Sequence, residues 1–347
     1  MPSRRLPTPA NQRQRRAIPY TSELTREGKT LGRIDVHQHI VPPAWHSAME
    51  AMIGAGTPWP QPPHWSASAA LTFMDDAEID TGILSVTAPG VVLDGFTTTD
   101  AQSLAIAVND QTAEVVKDRP DRFGFFASLP LPDVDGAITE AVRAFDELSA
   151  DGVVLQSNVR GRYLGDPSFE PLWAELNERS AVVHIHPNQP PLPALAGTPF
   201  PLADFIFDTT RSALDMALRG VPRRYPRMRV ILSHGGGFLP YAAHRFAALA
   251  PEQVDANLTP TDLIADLQWF YMDTALASSP TSWPALRAFA APGHVVYGSD
   301  WPFAPPHVSA YFDSHLEEVS SQGELDEASW GAAQRLFPRL AARVSTI

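Results

Sequence analysis

Eight short apolar runs, each followed by a stretch of helical periodicity, restrict what this chain can fold into more than any other feature. In order, the runs are Ile34–Val36, Thr81–Thr87, Phe123–Leu129, Gly152–Gln156, Ala181–His186, Arg229–Ser233, Trp269–Thr274 and His294–Ser299. Gly152–Gln156 reads G-V-V-L-Q, the near-continuous apolar pattern of a parallel strand covered on both faces. Helices are expected at Trp45–Met52, Ser68–Asp80, Thr99–Lys117, Val134–Leu148, Ser168–Arg179, Asp204–Arg219, Phe238–Leu249, Pro280–Ala290 and His307–Val319. In the fourth of these, Val134, Ile138, Ala141, Val142, Phe145 and Leu148 share one face.

Strand–helix alternation produces a parallel sheet, and right-handed crossovers close eight such units into a single (β/α)8 TIM barrel. The rival is an open, doubly wound sheet, which would keep the ends of the first, fifth and eighth strands apart. Gly54–Trp65, with four prolines and two glycines, reads as a loop inserted after the first strand. The residues beyond Val319 predict a C-terminal helical extension. Residues 1–30 differ from the rest: Arg4, Arg5, Arg13, Arg15, Arg16 and Arg26 sit among Pro, Gln, Ser and Thr. They predict a basic, mobile N-terminal arm ahead of a barrel domain at 31–347.

A net charge of −13 disfavours nucleic acid as a partner. With no cysteine, disulfides, thiolate ligands and a cysteine nucleophile are excluded. No run approaches the roughly 18 apolar residues of a membrane span, so a cytoplasmic protein without membrane contact is expected.

The chemistry-bearing residues fall at strand ends, where barrel enzymes build their sites. His37 and His39 follow the first strand as H-x-H, a spacing that puts both imidazoles on one side. His186 ends the fifth strand in His186-Pro187-Asn188, with His184 two residues earlier as a rival on the same face. His234 follows the sixth in S-H-G-G-G, and Asp300 the eighth in G-S-D-W-P. Three imidazoles and a carboxylate suit one divalent ion, Zn²⁺ or Mn²⁺, with a position left for water or substrate.

H-x-H, H-P, S-H-G-G-G and G-S-D-W-P in this order resemble the amidohydrolase superfamily. More narrowly, they resemble its decarboxylase branch, that of aminocarboxymuconate-semialdehyde, 6-methylsalicylate and γ-resorcylate decarboxylases. The resemblance implies His37, His39, His186 and Asp300 as metal ligands, and His234 with Asp300 as the catalytic pair. The fourth strand holds no lysine to be carboxylated between two metals, which implies a single ion.

Arg245 stands where a relative's arginine reaches the neighbouring subunit's substrate, so the resemblance also implies a homodimer. Arg211, Asn158, Trp301 and Phe303 are the other candidate substrate contacts. No Arg or Lys occurs between Ile34 and Val116. A second substrate carboxylate in that region would be desolvated without a partner, which disfavours dicarboxylates. The expected function is therefore metal-dependent, non-oxidative decarboxylation of an aromatic carboxylate, an ortho-hydroxybenzoate of the salicylate type. The alternative is metal-dependent hydrolysis of a lactone or amide.

Overall fold

The computed structural model describes residues 32–341 apart from Pro58, Ala194 and Leu195, together with the backbone of Thr25–Arg26 and Lys29–Thr30. Those two short segments pair antiparallel. The rest of the expected basic arm lies outside the described residues.

Eight parallel strands lie side by side in chain order: β1 (Arg33–His39), β2 (Ile79–Ser85), β3 (Phe123–Ser128), β4 (Gly152–Gln156), β5 (Val182–His186), β6 (Arg229–Leu232), β7 (Tyr271–Asp273) and β8 (Val295–Val296). The first and last are joined by backbone hydrogen bonds. Val36 N–H donates to Tyr297 O at 2.9 Å, His39 N–H to Trp301 O at 2.7 Å, and Asp300 N–H to His37 O at 2.8 Å. The sheet thus comes round as a nearly closed barrel, and the open-sheet alternative falls.

Helices α1 (Pro43–Gly54), α2 (Ala67–Asp76), α3 (Thr98–Asp118), α4 (Val134–Asp146), α5 (Glu170–Glu178), α6 (Phe200–Leu218), α7 (Val221–Arg224), α8 (Leu239–Gln253), α9 (Pro260–Gln268), α10 (Ser282–Phe289) and α11 (Pro306–Val319) surround it. The described residues of 55–66, between α1 and α2, hold neither helix nor strand. The C-terminal extension is helical, with α12 (Gln322–Asp326), a π-helical turn (Glu327–Gly331), α13 (Ala332–Leu336) and α14 (Pro338–Ala341). No helix among the described residues is long and apolar enough to cross a membrane.

Three departures from expectation have a local cause. The helix read as reaching Asp80 stops at Asp76, because Glu78 turns left-handed (φ 54°) and β2 starts at Ile79. The ladder of β8 covers only two residues, because the chain then bends inward and Ser299 N–H donates to Asp35 Oδ1 at 3.0 Å. An unexpected helix, α9, is opened by Thr259, whose hydroxyl accepts from Asp262 N–H at 3.1 Å, with Pro260 in its first turn.

One apolar cluster contains Ile34, Val36, Ile83, Phe126, Val154, Val182, Ile231 and Val296, one or two from each of seven strands. It continues into Ala332, Ala333, Leu336, Phe337 and Leu340, so the C-terminal helices seal the floor of the barrel. In β1 the alternation slips. Asp35 pairs with Gly82 but Gln38 pairs with Leu84, so three steps of β1 match two of β2. This bulge lets two consecutive residues serve one side: Val36 joins the apolar cluster, while His37 joins the polar layer above it.

Candidate functional site

The donor atoms of His37, His39, His186 and Asp300 all lie within 4.8 Å of one another, and all four residues are buried. His37 Nε2 is 3.1 Å from His39 Nε2, and Asp300 Oδ1 is 3.0 Å from His39 Nε2 and 3.4 Å from His37 Nε2. Every Nδ1 of the three histidines has a partner elsewhere. For His37 it is Asp273 Oδ2 at 2.7 Å, for His39 Ser85 O at 3.1 Å, and for His186 Pro187 O at 2.8 Å. Each Nδ1 therefore donates, and each Nε2 turns a lone pair toward the others and toward a carboxylate.

Lone pairs packed this closely repel one another unless a cation lies among them. Ligands held at about 2.1 Å from one ion are themselves about 3.0–3.4 Å apart, which is the spacing found among His37, His39 and Asp300. The residues present thus fit a single divalent ion. Burial lowers His39 and His186, keeping both neutral as ligands must be. Burial would lower His37 too, but the Asp273 charge outweighs it and lifts the imidazole to about 10. The same charge favours a metal ion in place of that proton. Burial would raise Asp300, but its bonds to His37 and His39 hold it well below the ordinary carboxylate range.

Sequence reasoning missed Asp273, at the end of β7. Its Oδ2 serves His37, while Oδ1 accepts from His234 N–H at 2.8 Å and from Ala275 N–H at 3.1 Å. One carboxylate thus orients both a metal-site imidazole and the next loop. The available signal is its place, a charged residue ending a barrel strand in Y-M-D-T. Asp35 is a second such residue. It accepts from His37 N–H at 3.0 Å, and both the backbone and the hydroxyl of Ser299 donate to it. His184 sits one step deeper, with Nε2 3.0 Å from Ser233 Oγ and 3.5 Å from Asp273 Oδ2.

His234 has backbone φ 56°, and Gly235, Gly236 and Gly237 follow at 64°, 72° and 66°. Four successive left-handed residues need glycines. A Cβ at position 237 would lie 2.1 Å from Ile206 O, so this turn packs directly onto α6. The His234 ring lies with its centroid 5.0 Å from that of His37, and its Nδ1 is 3.0 Å from Ala275 O. Its Nε2 is left without a protein partner among the described residues.

The candidate substrate contacts separate. Phe303 sets its ring edge-on to His39, with centroids 5.4 Å apart. Trp301 is buried and stacks on Phe73 at 5.2 Å. Asn158 spends both amide hydrogens, on Asp208 Oδ2 at 2.7 Å and Gln189 O at 3.0 Å. Arg211 lies over Tyr163 at 4.9 Å and Phe207 at 5.4 Å, rather than pairing with Asp208 or Asp215. Arg245 is exposed on α8.

The amidohydrolase family profile matches residues 34–339. The 6-methylsalicylic acid decarboxylase of Penicillium expansum is 39% identical over 317 residues, covering 89% of this chain and 97% of the relative. The crystal structure of an amidohydrolase II superposes with TM-score 0.81 at 31% identity, covering 88% of this chain and 99% of the other. A dihydroxybenzoic acid decarboxylase from Polaromonas, solved with manganese and 2-nitroresorcinol, gives TM-score 0.75 at 25% identity over 89% of this chain and 97% of its own.

Proposed function

The chain belongs to the amidohydrolase family, and from that premise we propose a metal-dependent, non-oxidative decarboxylase of an ortho-hydroxybenzoate. The observation that carries this is the single-ion cluster of His37, His39, His186 and Asp300, with the imidazole of His234 beside it. Likeness over nearly full length to a decarboxylase of 6-methylsalicylate supports the substrate class. The donor set suits Zn²⁺, and Mn²⁺ is the ion bound in the Polaromonas relative.

A bound divalent ion supplies Lewis acidity toward the carboxylate and the neighbouring ring hydroxyl. The chain's own residues do the rest. His234, whose Nδ1–H donates to Ala275 O, takes up and delivers a proton at Nε2. Asp300, a carboxylate at rest, relays that proton to the ring carbon bearing the carboxyl group. The bond from that carbon to the carboxylate then breaks, CO2 leaves, and the electron pair restores the aromatic ring. Phe303 forms one wall of the pocket beside His39, and the Arg211 guanidinium is available for residual negative charge.

The assembly we propose is a homodimer. Phe238, which precedes α8, and Tyr241, Arg245 and Leu249 along it follow one stripe, exposed at 42% for Phe238, 90% for Tyr241 and 37% for Leu249. An aromatic stripe around an arginine is the composition of an interface centre. Arg245 reaches the partner's pocket from it.

The test of function is CO2 release from ortho-, meta- and para-hydroxybenzoates by metal-loaded protein, with an aminocarboxymuconate-type dicarboxylate alongside. The ortho isomers should react and the others lag far behind, since only they chelate. Equal rates on all three isomers, or preference for the dicarboxylate, removes the chelation argument. Ring opening or amide cleavage without CO2 would make the chain a hydrolase.

A further inference from the structure

The metal ligands come from β1, β5 and the segment after β8. The part of the barrel mouth built by β2, β3 and β4 supplies no metal ligand, only the Ser85 carbonyl that holds His39 Nδ1. It nevertheless carries three buried polar atoms without a hydrogen-bond partner: Ser85 Oγ, Ser128 Oγ and Gln156 Oε1. Buried polar groups are seldom left unpaired, so an external partner is implied.

Two of the three line one cavity. Ser128 and Gln156 share it with Gly90 and Asn188. The free space is about 30 Å³, room for one or two groups of water size. Gln156 is directly paired with His186 on the neighbouring strand, and alternation turns both toward the barrel interior. The cavity thus lies beside the strand end that carries His186. The side chain of Gln156 lies against Gly90. A Cβ at position 90 would meet its Cγ at 3.0 Å and Nε2 at 3.1 Å, so only glycine (φ 77°) leaves it room. Gly90 is itself fixed, its carbonyl accepting from Trp45 Nε1 at 2.8 Å.

We propose that Gln156 and Ser128 form a specificity subsite for a second hydroxyl on the substrate's aromatic ring. This rests on the decarboxylase reading and narrows its substrate class. A phenolic O–H donates to Gln156 Oε1 while its oxygen accepts from Ser128 Oγ–H, so one small group satisfies both. A methyl group in the same place is of similar size and leaves both unpaired.

The experiment compares matched pairs of ortho-hydroxybenzoates, each pair carrying hydroxyl or methyl at the same ring position, on metal-loaded protein. At one ring position kcat/KM should favour hydroxyl by about tenfold or more, as a buried pair left unsatisfied would cost. Gln156→Leu and Ser128→Ala should each bring that ratio toward one. Ser128→Ala carries the test if Gln156→Leu does not fold. A second readout is calorimetric affinity for resorcinol against meta-cresol, with the same preference expected and the same loss in both variants. If no ortho-hydroxybenzoate releases CO2, the decarboxylase reading fails while the phenol affinities still test the subsite. The subsite is overturned by a hydroxyl preference that survives in both variants. It is equally overturned if the parent protein prefers methyl, or neither, at every position, since water then fills the cavity.

Discussion

At the scale of single residues, the clustering of the four candidate ligands, with His234 beside them, was legible because each lies near or just beyond the end of a strand. Asp273 ends one as well, yet an isolated aspartate in Y-M-D-T has no motif around it, and its importance lies in two contacts remote in sequence. Asp273→Asn should weaken metal binding by about 10- to 100-fold, as loss of an orienting carboxylate typically does. Metal titration followed by elemental analysis measures this, and unchanged affinity would reduce Asp273 to a loop anchor. His234→Ala should retain the ion while turnover falls by about 10²- to 10⁴-fold. Near-normal rates in the metal-replete variant would remove His234 from the mechanism.

At the scale of elements, strand order and nearly all helices followed from periodicity, while the bulge in β1 did not. Strict alternation sets Val36 and His37 on opposite faces, and only the pairing with β2 reveals the extra residue. The hairpin after β4, Asn158–Val159 with Arg162–Tyr163, was equally invisible, because it is tied to α6 through a carboxylate fifty residues away. Asp208 accepts from Ser157 Oγ, from Asn158 Nδ2 at 2.7 Å and from Tyr163 OH at 2.7 Å. Asp208→Asn presents an amide where one of these donors must accept, and should cost about 1.5–3 kcal/mol. Burial, outweighing those hydrogen bonds, holds Asp208 above the ordinary carboxylate range. The folded state thus binds this proton more tightly than the unfolded one. The resulting stability is full below the unfolded value of about 3.9 and is lost as pH rises through the folded value. The variant lacks it, so the gap in melting temperature between parent and variant should widen on acidification from pH 7 toward 4. A gap that narrows contradicts the sign.

At the scale of the whole molecule, the proposed dimer rests on surface rather than on core. Tyr241→Glu places a charge at the centre of the α8 stripe and should shift light scattering from dimer to monomer. Activity per chain should fall with it if Arg245 reaches the partner's pocket. A monomeric parent that stays fully active on dilution ends the cross-subunit role. Closure of the barrel also has a consequence for how the chain is made. His37 and His39 are synthesised first, Asp300 some 260 residues later, and the floor is sealed only by Ala332 to Leu340. On the ribosome the two imidazoles therefore wait, with β1 an unpaired edge on one side, until nearly the whole chain has emerged. An ion held by all four ligands can therefore be bound only once synthesis has passed Asp300, late in the making of the chain.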